Sequence, residues 1–471
     1  MKSDAKTGQK PVLGETLELD ILDLADTGAG VGKDRGFVFF VRDALPGQRV
    51  LARVTAVKKN LAEAVCEKEL SPSPLAQAPF CPHFGTCGGC LLQGLTYQAQ
   101  LDWKTNRVRQ ALARIGGDSA APVHPALGSP AQVRYRNKME FAFGGTSGDG
   151  LVLGLRHRDR PDKVVDLTEC FLCPESVVQV LYQARRLARD TDLLAMGSRP
   201  GSGFFRHLVV RRFSSGEMHV NLITATDPSR HGQMLALGKT LMTACPQVKG
   251  FVHSTRESQA ALAQGEAAQA GLGTWAAEER LCGLSFLVSP EAFFQVNTGS
   301  AELLFATVAR LGGFTGKETV WDLYCGGGSI GLCLAGSVGR VEGLELSPAA
   351  VEDARANAAR NTIENCRFQA VDLADIAKHL RGLPRPDAAV CDPPRAGLDP
   401  ALIEALLETR PPVILAVSCH PATLARDLRL LSGAYRLTEV QPVDLFPHTA
   451  HVECVARLEL IGGLDKPGPH V

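Results

Sequence analysis

Four stretches of the sequence carry side chains whose types and spacing could do chemistry. Ser418-Cys419-His420-Pro421-Ala422-Thr423-Leu424 sets a cysteine between an apolar run and a helical pattern, where a helix dipole would favour its thiolate. His448-Thr449-Ala450-His451-Val452-Glu453-Cys454 hides a glutamate in an alternating apolar run beside two histidines, as a buried general base would need. Asp322-Leu323-Tyr324-Cys325-Gly326-Gly327-Gly328-Ser329 follows an apolar strand and opens a helix, so its glycines would let the backbone approach a ligand. Cys81-Pro82-His83-Phe84-Gly85-Thr86-Cys87-Gly88-Gly89-Cys90 holds three cysteines in a C-x5-C-x2-C spacing. Taken alone, each has a plainer reading too: a buried thiol, an edge-strand acid, a tight turn. For the cysteine cluster, spacing does not separate zinc from iron and sulfur.

The 471-residue chain is long enough for about two to four domains. Its 50 Lys and Arg balance 50 Asp and Glu, which argues against a protein that coats nucleic acid through overall charge. Three local stretches still concentrate positive charge as a phosphate-contacting surface would: RYRNK (Arg134 to Lys138), LRHRDRPDK (Leu155 to Lys163) and RHLVVRR (Arg206 to Arg212). No run reaches the roughly 18 uncharged apolar residues of a membrane span, and MKSDAKTGQKP lacks the apolar core of a signal peptide. A cytoplasmic protein with no membrane association is expected. In a reducing compartment, clustered cysteines are metal ligands or catalytic thiols more often than disulfides.

The elements that must position these residues follow from patterning. Residues 1–13 read as a flexible tail. Over 14–72, the short β-type runs LELDILDLA, GFVFFV, QRVLARVTAVKKN and AEAVCEK, separated by glycine-rich turns, suggest a five-stranded barrel of OB type. SPSPLAQAP marks a linker, and LTYQAQLDWKTNRVRQALARIGG reads as an amphipathic helix ending at Gly116 and Gly117. Residues 73–284 form a mixed α+β centre with strands at KMEFAFGG, GLVLGLRH, HLVVRRF and MHVNLITA. From 285 to 471, strands and helices alternate as in a parallel, doubly wound sheet, whose ligands sit at the carboxyl ends of the strands. The second of these strands ends in Glu345, placed to accept from ribose hydroxyls, and the third in Asp372, placed to reach an adenine amino group. The loop lacks the G-x-G-x-x-G spacing of a dinucleotide site.

A glycine loop with acids after the next two strands is similar to the S-adenosylmethionine site of Rossmann-type methyltransferases. Asp392-Pro393-Pro394 is similar to the motif that nucleic-acid methyltransferases place beside the target base. An aromatic residue follows the prolines in amino-methyltransferases, and here Arg395 does. The difference matters, because C5 of uracil attacks a methyl sulfonium only after a thiolate adds to C6, and its proton must then be removed by a base.

Taken in order, FFQVN (Phe293 to Asn297), DLYCGGGS, DPPRAG, SCHPATL and HTAHVE resemble the RNA (uracil-5-)-methyltransferase family. An OB-like TRAM domain, C-x5-C-G-G-C and YRNK agree in the front half. The resemblance implies that Gln295, Tyr324, Ser329, Glu345 and Asp372 contact S-adenosylmethionine and that Asp392 lies between cofactor and base. Cys419 is then the nucleophile and Glu453 the base. Tyr324 stands where family members often have Phe, and Ser329 or His420 where they have Asn. The resemblance also implies a [4Fe-4S] cluster on Cys81, Cys87, Cys90 and Cys170, with Cys173 left as a core or surface thiol. It implies a monomeric enzyme making 5-methyluridine in 23S ribosomal RNA, since relatives acting on transfer RNA generally lack the TRAM domain and the cysteines. The alternatives are a transfer-RNA uracil methyltransferase and a non-catalytic RNA-binding or redox-sensing protein. Retention of both Cys419 and Glu453 speaks against the last.

Overall fold

A computed structural model describes residues 10–462 apart from 118–119, 121, 146–149, 192, 196–202, 258–262, 264, 275, 290–292 and 373–374. Most of the expected tail, residues 1–13, lies outside these. The chain divides into two compact units.

One unit comprises Met1–Trp103, Arg156–Pro161 and Phe446–Ala450. Its strands β1 (Thr16–Leu24), β2 (Gly30–Asp34), β3 (Phe37–Arg42), β4 (Arg49–Val57) and β5 (Leu61–Ser71) close into a barrel in the order β1-β2-β3-β5-β4. Period-two alternation puts Leu19, Ile21, Phe39, Val41, Val50, Ala52 and Val54 inside it. The cysteine loop coils through tight turns, with Cys87 N donating to His83 O at 2.9 Å and Gly88 N to Arg156 O at 2.9 Å. Leu24, Leu92, Leu95, Ala99, Trp103 and Ala450 form a second apolar cluster, where Trp103 Nε1 donates to Leu24 O at 2.9 Å.

The other unit comprises Lys104–Leu155, Asp162–Leu445 and His451–Val471. Helix α1 (Tyr97–Ala111) runs on as a π-helical turn, Leu112–Gly116, and stops at Gly117, whose φ of 77° lets its N–H reach Leu112 O. The strands β6 (Lys138–Gly144), β7 (Val152–Arg156), β8 (Val164–Asp166), β9 (Phe205–Arg212), β10 (Met218–Thr224), β11 (Val248–Thr255) and β12 (Ala267–Gly273) form a sheet in the order β12-β11-β10-β9-β6-β7-β8. Helices α2 (Glu175–Arg189) and α3 (His231–Ala244) pack on it.

In two of the basic stretches one arginine is committed inside the fold and not to a phosphate-contacting surface. RHLVVRR is the inner strand β9, and Arg211 is buried within it, where burial pulls its guanidinium down to about 10 against the pull of Glu279 and Glu140. In RYRNK, Arg134 spends its guanidinium on the carbonyls of Cys170 and Cys173, at 2.7 and 3.0 Å, and on Glu169.

A hairpin, β13 (Ala277–Leu281) and β14 (Leu284–Val288), leads to α4 (Thr298–Gly312) and then to the expected alternation. It runs β15 (Thr319–Leu323), α5 (Ser329–Leu334), β16 (Arg340–Glu345), α6 (Pro348–Arg360), β17 (Cys366–Ala370), α7 (Ile376–Gly382), β18 (Ala388–Cys391), α8 (Pro400–Thr409), β19 (Val413–Ser418), α9 (Pro421–Leu431), β20 (Tyr435–Val443) and β21 (Glu453–Leu460). The sheet order is β17-β16-β15-β18-β19-β21-β20, parallel through β19, with β21 antiparallel to β19 and β20 antiparallel to β21. Helices cover both faces, so the strands are near-continuous apolar runs. Trp321, Leu344, Ile414, Leu406 and Leu428 share their core. Among the described residues no helix is long and apolar enough to cross a membrane.

Candidate active site

The parallel register pairs Leu323 with Leu344 and with Cys391, and Cys391 with Ala416. The segments that follow β15, β16, β18 and β19 therefore emerge along one edge of the sheet. Between β19 and β21 the last paired residues are Ser418 and Cys454. Cys419 and Glu453 are the next residues along, so the thiol and the carboxyl stand opposite each other. Asp392 follows β18 one strand away, its N–H bonded to Leu323 O at 3.2 Å.

Electrostatics couple these groups. Glu453 is buried, and burial together with the Asp392 charge pushes its carboxyl up to about 8 while Arg395 opposes. Burial likewise pushes Asp392 up to about 6. The Cys419 thiol is raised by burial, with Glu453 and Asp392 adding to the shift; Arg395, its hydrogen-bond partner, pulls it the other way. Local sequence pattern predicts that the dipole of α9 favours a thiolate here, whereas in the folded resting protein the net shift is upward. His420 caps α9 with its own ring, Nδ1 accepting from Thr423 N at 3.3 Å, so Cys419 lies outside the cap, and burial dominates with its carboxylate neighbours adding to it. Arg395 Nη2 lies 3.2 Å from His451 Nδ1. Although part of its ring faces solvent, burial by surrounding protein and the charge of Arg395 push His451 down to about 4, so it is neutral and can accept this bond.

The glycine loop is organised around two acids. Asp322 is fully buried, and its Oδ2 accepts from Gly331 N at 2.9 Å. A Cβ at Gly331 would fall 2.8 Å from that oxygen, so only glycine permits the contact. Asp322 Oδ1 has no hydrogen-bond partner among the described residues, and burial pushes the carboxyl up to about 7. Glu345, at the end of β16, accepts from Gly326 N at 3.1 Å and from Ser347 N at 2.9 Å. Tyr324 carries a φ of 63°, a left-handed conformation costing about 1–2 kcal/mol in a bulky residue, and its hydroxyl accepts from Asp399 N at 3.1 Å. Ser329 opens α5, and Asp372 is exposed two residues beyond β17.

Gln295 sits on the segment entering α4, and that segment is pinned by a residue that sequence reasoning gave no role. Asn137 Nδ2 donates to Gln295 O at 3.0 Å and to Thr298 Oγ1 at 3.1 Å, and Asn137 N donates to Val296 O at 2.8 Å. Its signal was the YRNK motif. Arg395 and His451 were likewise visible as types, and only their pairing was not. An acid at the second strand end, glycines 326 and 327 whose Cβ positions face open space, and a strained aromatic beside them fit an adenosine-bearing cofactor.

Cys81, Cys87 and Cys90 belong to the barrel-containing unit and Cys170 to the other. Among the described residues no group of three or more His, Cys, Asp or Glu side chains that could hold a metal occurs, so the expected four-cysteine set does not appear as a site. One feature suits a thiolate: Gly89 N points at Cys87 Sγ from 3.4 Å.

Residues 284–460 match the family described as tRNA (Uracil-5-)-methyltransferase, and residues 12–66 match the TRAM domain. An RNA methyltransferase of Nitratidesulfovibrio vulgaris is 43% identical over 450 residues, covering 94% of this chain and 96% of that protein. The chain belongs to the RNA (uracil-5-)-methyltransferase family. It is an S-adenosylmethionine-dependent enzyme acting on RNA, and its closed barrel is a TRAM domain. An RNA methyltransferase of Geobacter sulfurreducens is 37% identical over 461 residues, 97% of this chain and 92% of that one. Among solved structures, the tRNA (uracil-54, C5)-methyltransferase of Pyrococcus abyssi, in complex with S-adenosyl-L-homocysteine, is similar at a TM-score of 0.73 and 28% identity, covering 94% of this chain and all of that one. The uncovered share of this chain is shorter than the barrel.

Proposed function

We propose that this enzyme makes 5-methyluridine in 23S ribosomal RNA, acting as a cytoplasmic monomer on a uridine flipped out of its stack. The observation that carries the chemistry is the Cys419 and Glu453 pair facing each other at the ends of β19 and β21, with Arg395 on the thiol. Cys419 releases its proton to solvent, and the thiolate adds to C6 of the uracil, making C5 an enolate-type nucleophile. Arg395 offsets the negative charge on sulfur as it develops and again as the thiolate leaves. S-adenosylmethionine, held by Gln295, Tyr324, Ser329, Glu345 and Asp372, supplies the electrophilic methyl group when bound. Asp392 sits between cofactor and base. Glu453 takes the proton from C5, for which a raised affinity for protons suits it, and elimination frees Cys419.

Four further assignments belong to this reading. Residues 14–72 form the RNA-binding TRAM domain, 73–284 a central domain and 285–471 the methyltransferase domain. Cys81, Cys87, Cys90 and Cys170 hold a [4Fe-4S] cluster that takes no part in the reaction. Anaerobically purified protein should then contain iron and sulfide near about four each per chain. Zinc without sulfide would reject the cluster.

A second reading, a transfer-RNA uracil methyltransferase, is favoured by the near-complete match to the P. abyssi enzyme. Mapping 5-methyluridine in ribosomal and transfer RNA from a strain lacking the gene separates the two. Loss at a 23S position with transfer RNA unchanged supports the first reading, and the converse supports the second.

A further inference from the structure

Two cysteines away from the strand-end site face each other. Cys282 is the first of two turn residues joining β13 to β14, between the paired residues Leu281 and Leu284. Its φ is 53° and that of Gly283 is 76°, both left-handed, as in hairpin turns that favour Asn-Gly or Gly-Gly. A cysteine has no polar side chain to bond its own backbone there, so the position holds sulfur at the cost of backbone strain. The turn is tied to α4, with Cys282 N donating to Glu302 Oε1 at 2.8 Å. Helix α4 also packs against α5, which carries Cys333. The two thiols are hydrogen-bonded to each other, Cys282 exposed and Cys333 partly buried.

We infer that Cys282 and Cys333 form a reversible disulfide when the protein meets a hydroperoxide, and that this bond weakens cofactor binding. The second half rests on reading the Gly326–Gly328 loop as the cofactor site. The exposed Cys282 sulfur attacks a peroxide oxygen, the O–O bond breaks, and water or alcohol leaves, giving a sulfenic acid. Cys333 sulfur then attacks that sulfur; the S–S bond forms, the S–O bond breaks, and water leaves with the Cys333 proton. The two electrons lost by the thiols are those gained by the peroxide. The hydrogen bond from Cys333 holds the Cys282 thiol below the ordinary thiol range, which favours Cys282 as the first attacker. Disulfides of reducing compartments are typically transient and redox-sensing, as this one would be.

The leverage on the cofactor site is short. An S–S bond spans about 2.05 Å, much less than a thiol–thiol hydrogen bond, so closure draws α5 toward the hairpin turn. That helix has only six residues. Gly331, two positions before Cys333, donates to Asp322, and Ser329 begins the helix directly after the glycine loop. Moving α5 moves both.

The test treats the full-length protein with hydrogen peroxide, alkylates residual thiols and identifies cross-linked peptides by mass spectrometry, with S-adenosylmethionine affinity measured before and after. A Cys282–Cys333 cross-link, reversed by dithiothreitol and accompanied by at least a several-fold loss of affinity, is the expected result. Cys282→Ser should bind the cofactor like the untreated parent and lose the peroxide response. Absence of the cross-link, or a cross-link with unchanged affinity, would overturn the inference. If the reduced protein bound no cofactor at all, the loop assignment would fail while the cross-link arm still decided whether the dithiol exists.

Discussion

Glu453 stands opposite Cys419 across the antiparallel β19 and β21 pair, one step beyond the partnered Ser418 and Cys454. A nucleophile and a base so placed can work on adjacent carbons of one ring, the sulfur at C6 and the carboxylate at C5. Glu453→Gln keeps the shape and removes the base, so the variant should still add and methylate but fail to release. A covalent protein–RNA species should accumulate on denaturing gels. The ionised carboxylate is the base, and burial with the Asp392 charge holds its proton up to about 8. Single-turnover release by the parent enzyme should therefore rise with pH through about 8 and level off above it.

Arg395 is the positive charge set against the carboxylates around Cys419. Arg395→Gln should raise the Cys419 thiol further and slow its alkylation by iodoacetamide at fixed neutral pH by about tenfold, the effect of roughly one pKa unit. His451, relieved of the facing guanidinium, should titrate at higher pH than its present value of about 4. Peptide mapping of alkylation and histidine NMR read the two effects separately. An unchanged alkylation rate would remove Arg395 from the thiol's environment.

Asp322 links the glycine loop to stability. Its carboxyl sits at about 7 in the folded chain against an ordinary 3.8, so the native state holds a proton that the unfolded chain releases. The resulting stabilisation is complete below the ordinary value and is lost as pH rises through about 7, a change on the order of 4 kcal/mol. Asp322→Asn keeps an acceptor for Gly331 and removes the titration. Urea unfolding of the variant should therefore show a shallower loss of stability across that window than the parent.

Asn137 holds the backbone of the segment that carries Gln295. Asn137→Ala leaves Gln295 O and Thr298 Oγ1 without that donor, at a cost of about 1–3 kcal/mol. The expected signature is a raised KM for S-adenosylmethionine with kcat little changed. A fall in kcat alone would place Asn137 in the chemistry instead.

Local pattern made part of this legible. Alternation over 16–71 suffices for the barrel, because one face of each strand is buried. Glycines after a strand, followed by acids at the next strand ends, mark the loop at Gly326–Gly328. Helices α2 and α3 are legible too: Val177, Val180, Leu181 and Ala184, and Met234, Leu237, Gly238 and Leu241, follow helical spacing and are buried. What sequence could not carry was non-local. The burial of Arg211 near Glu279 of β13 and the upward shift of Cys419 by burial, with Glu453 and Asp392 adding to it, arise between segments distant in the chain. The α9 dipole is legible from local pattern, and the burial and carboxylates that neighbouring strands impose on Cys419 are not.

The central claim is a bond between Cys419 and C6 of a uridine whose C5 accepts the methyl group. RNA carrying 5-fluorouridine at the target tests it most directly, because Glu453 cannot remove fluorine as it removes a proton. The adduct should persist, and mass spectrometry of the digested complex should find a methylated fluorouridine on the peptide containing Cys419, with none in Cys419→Ala. Methyl transfer at the normal rate by Cys419→Ala, or an adduct on another residue, would contradict the mechanism.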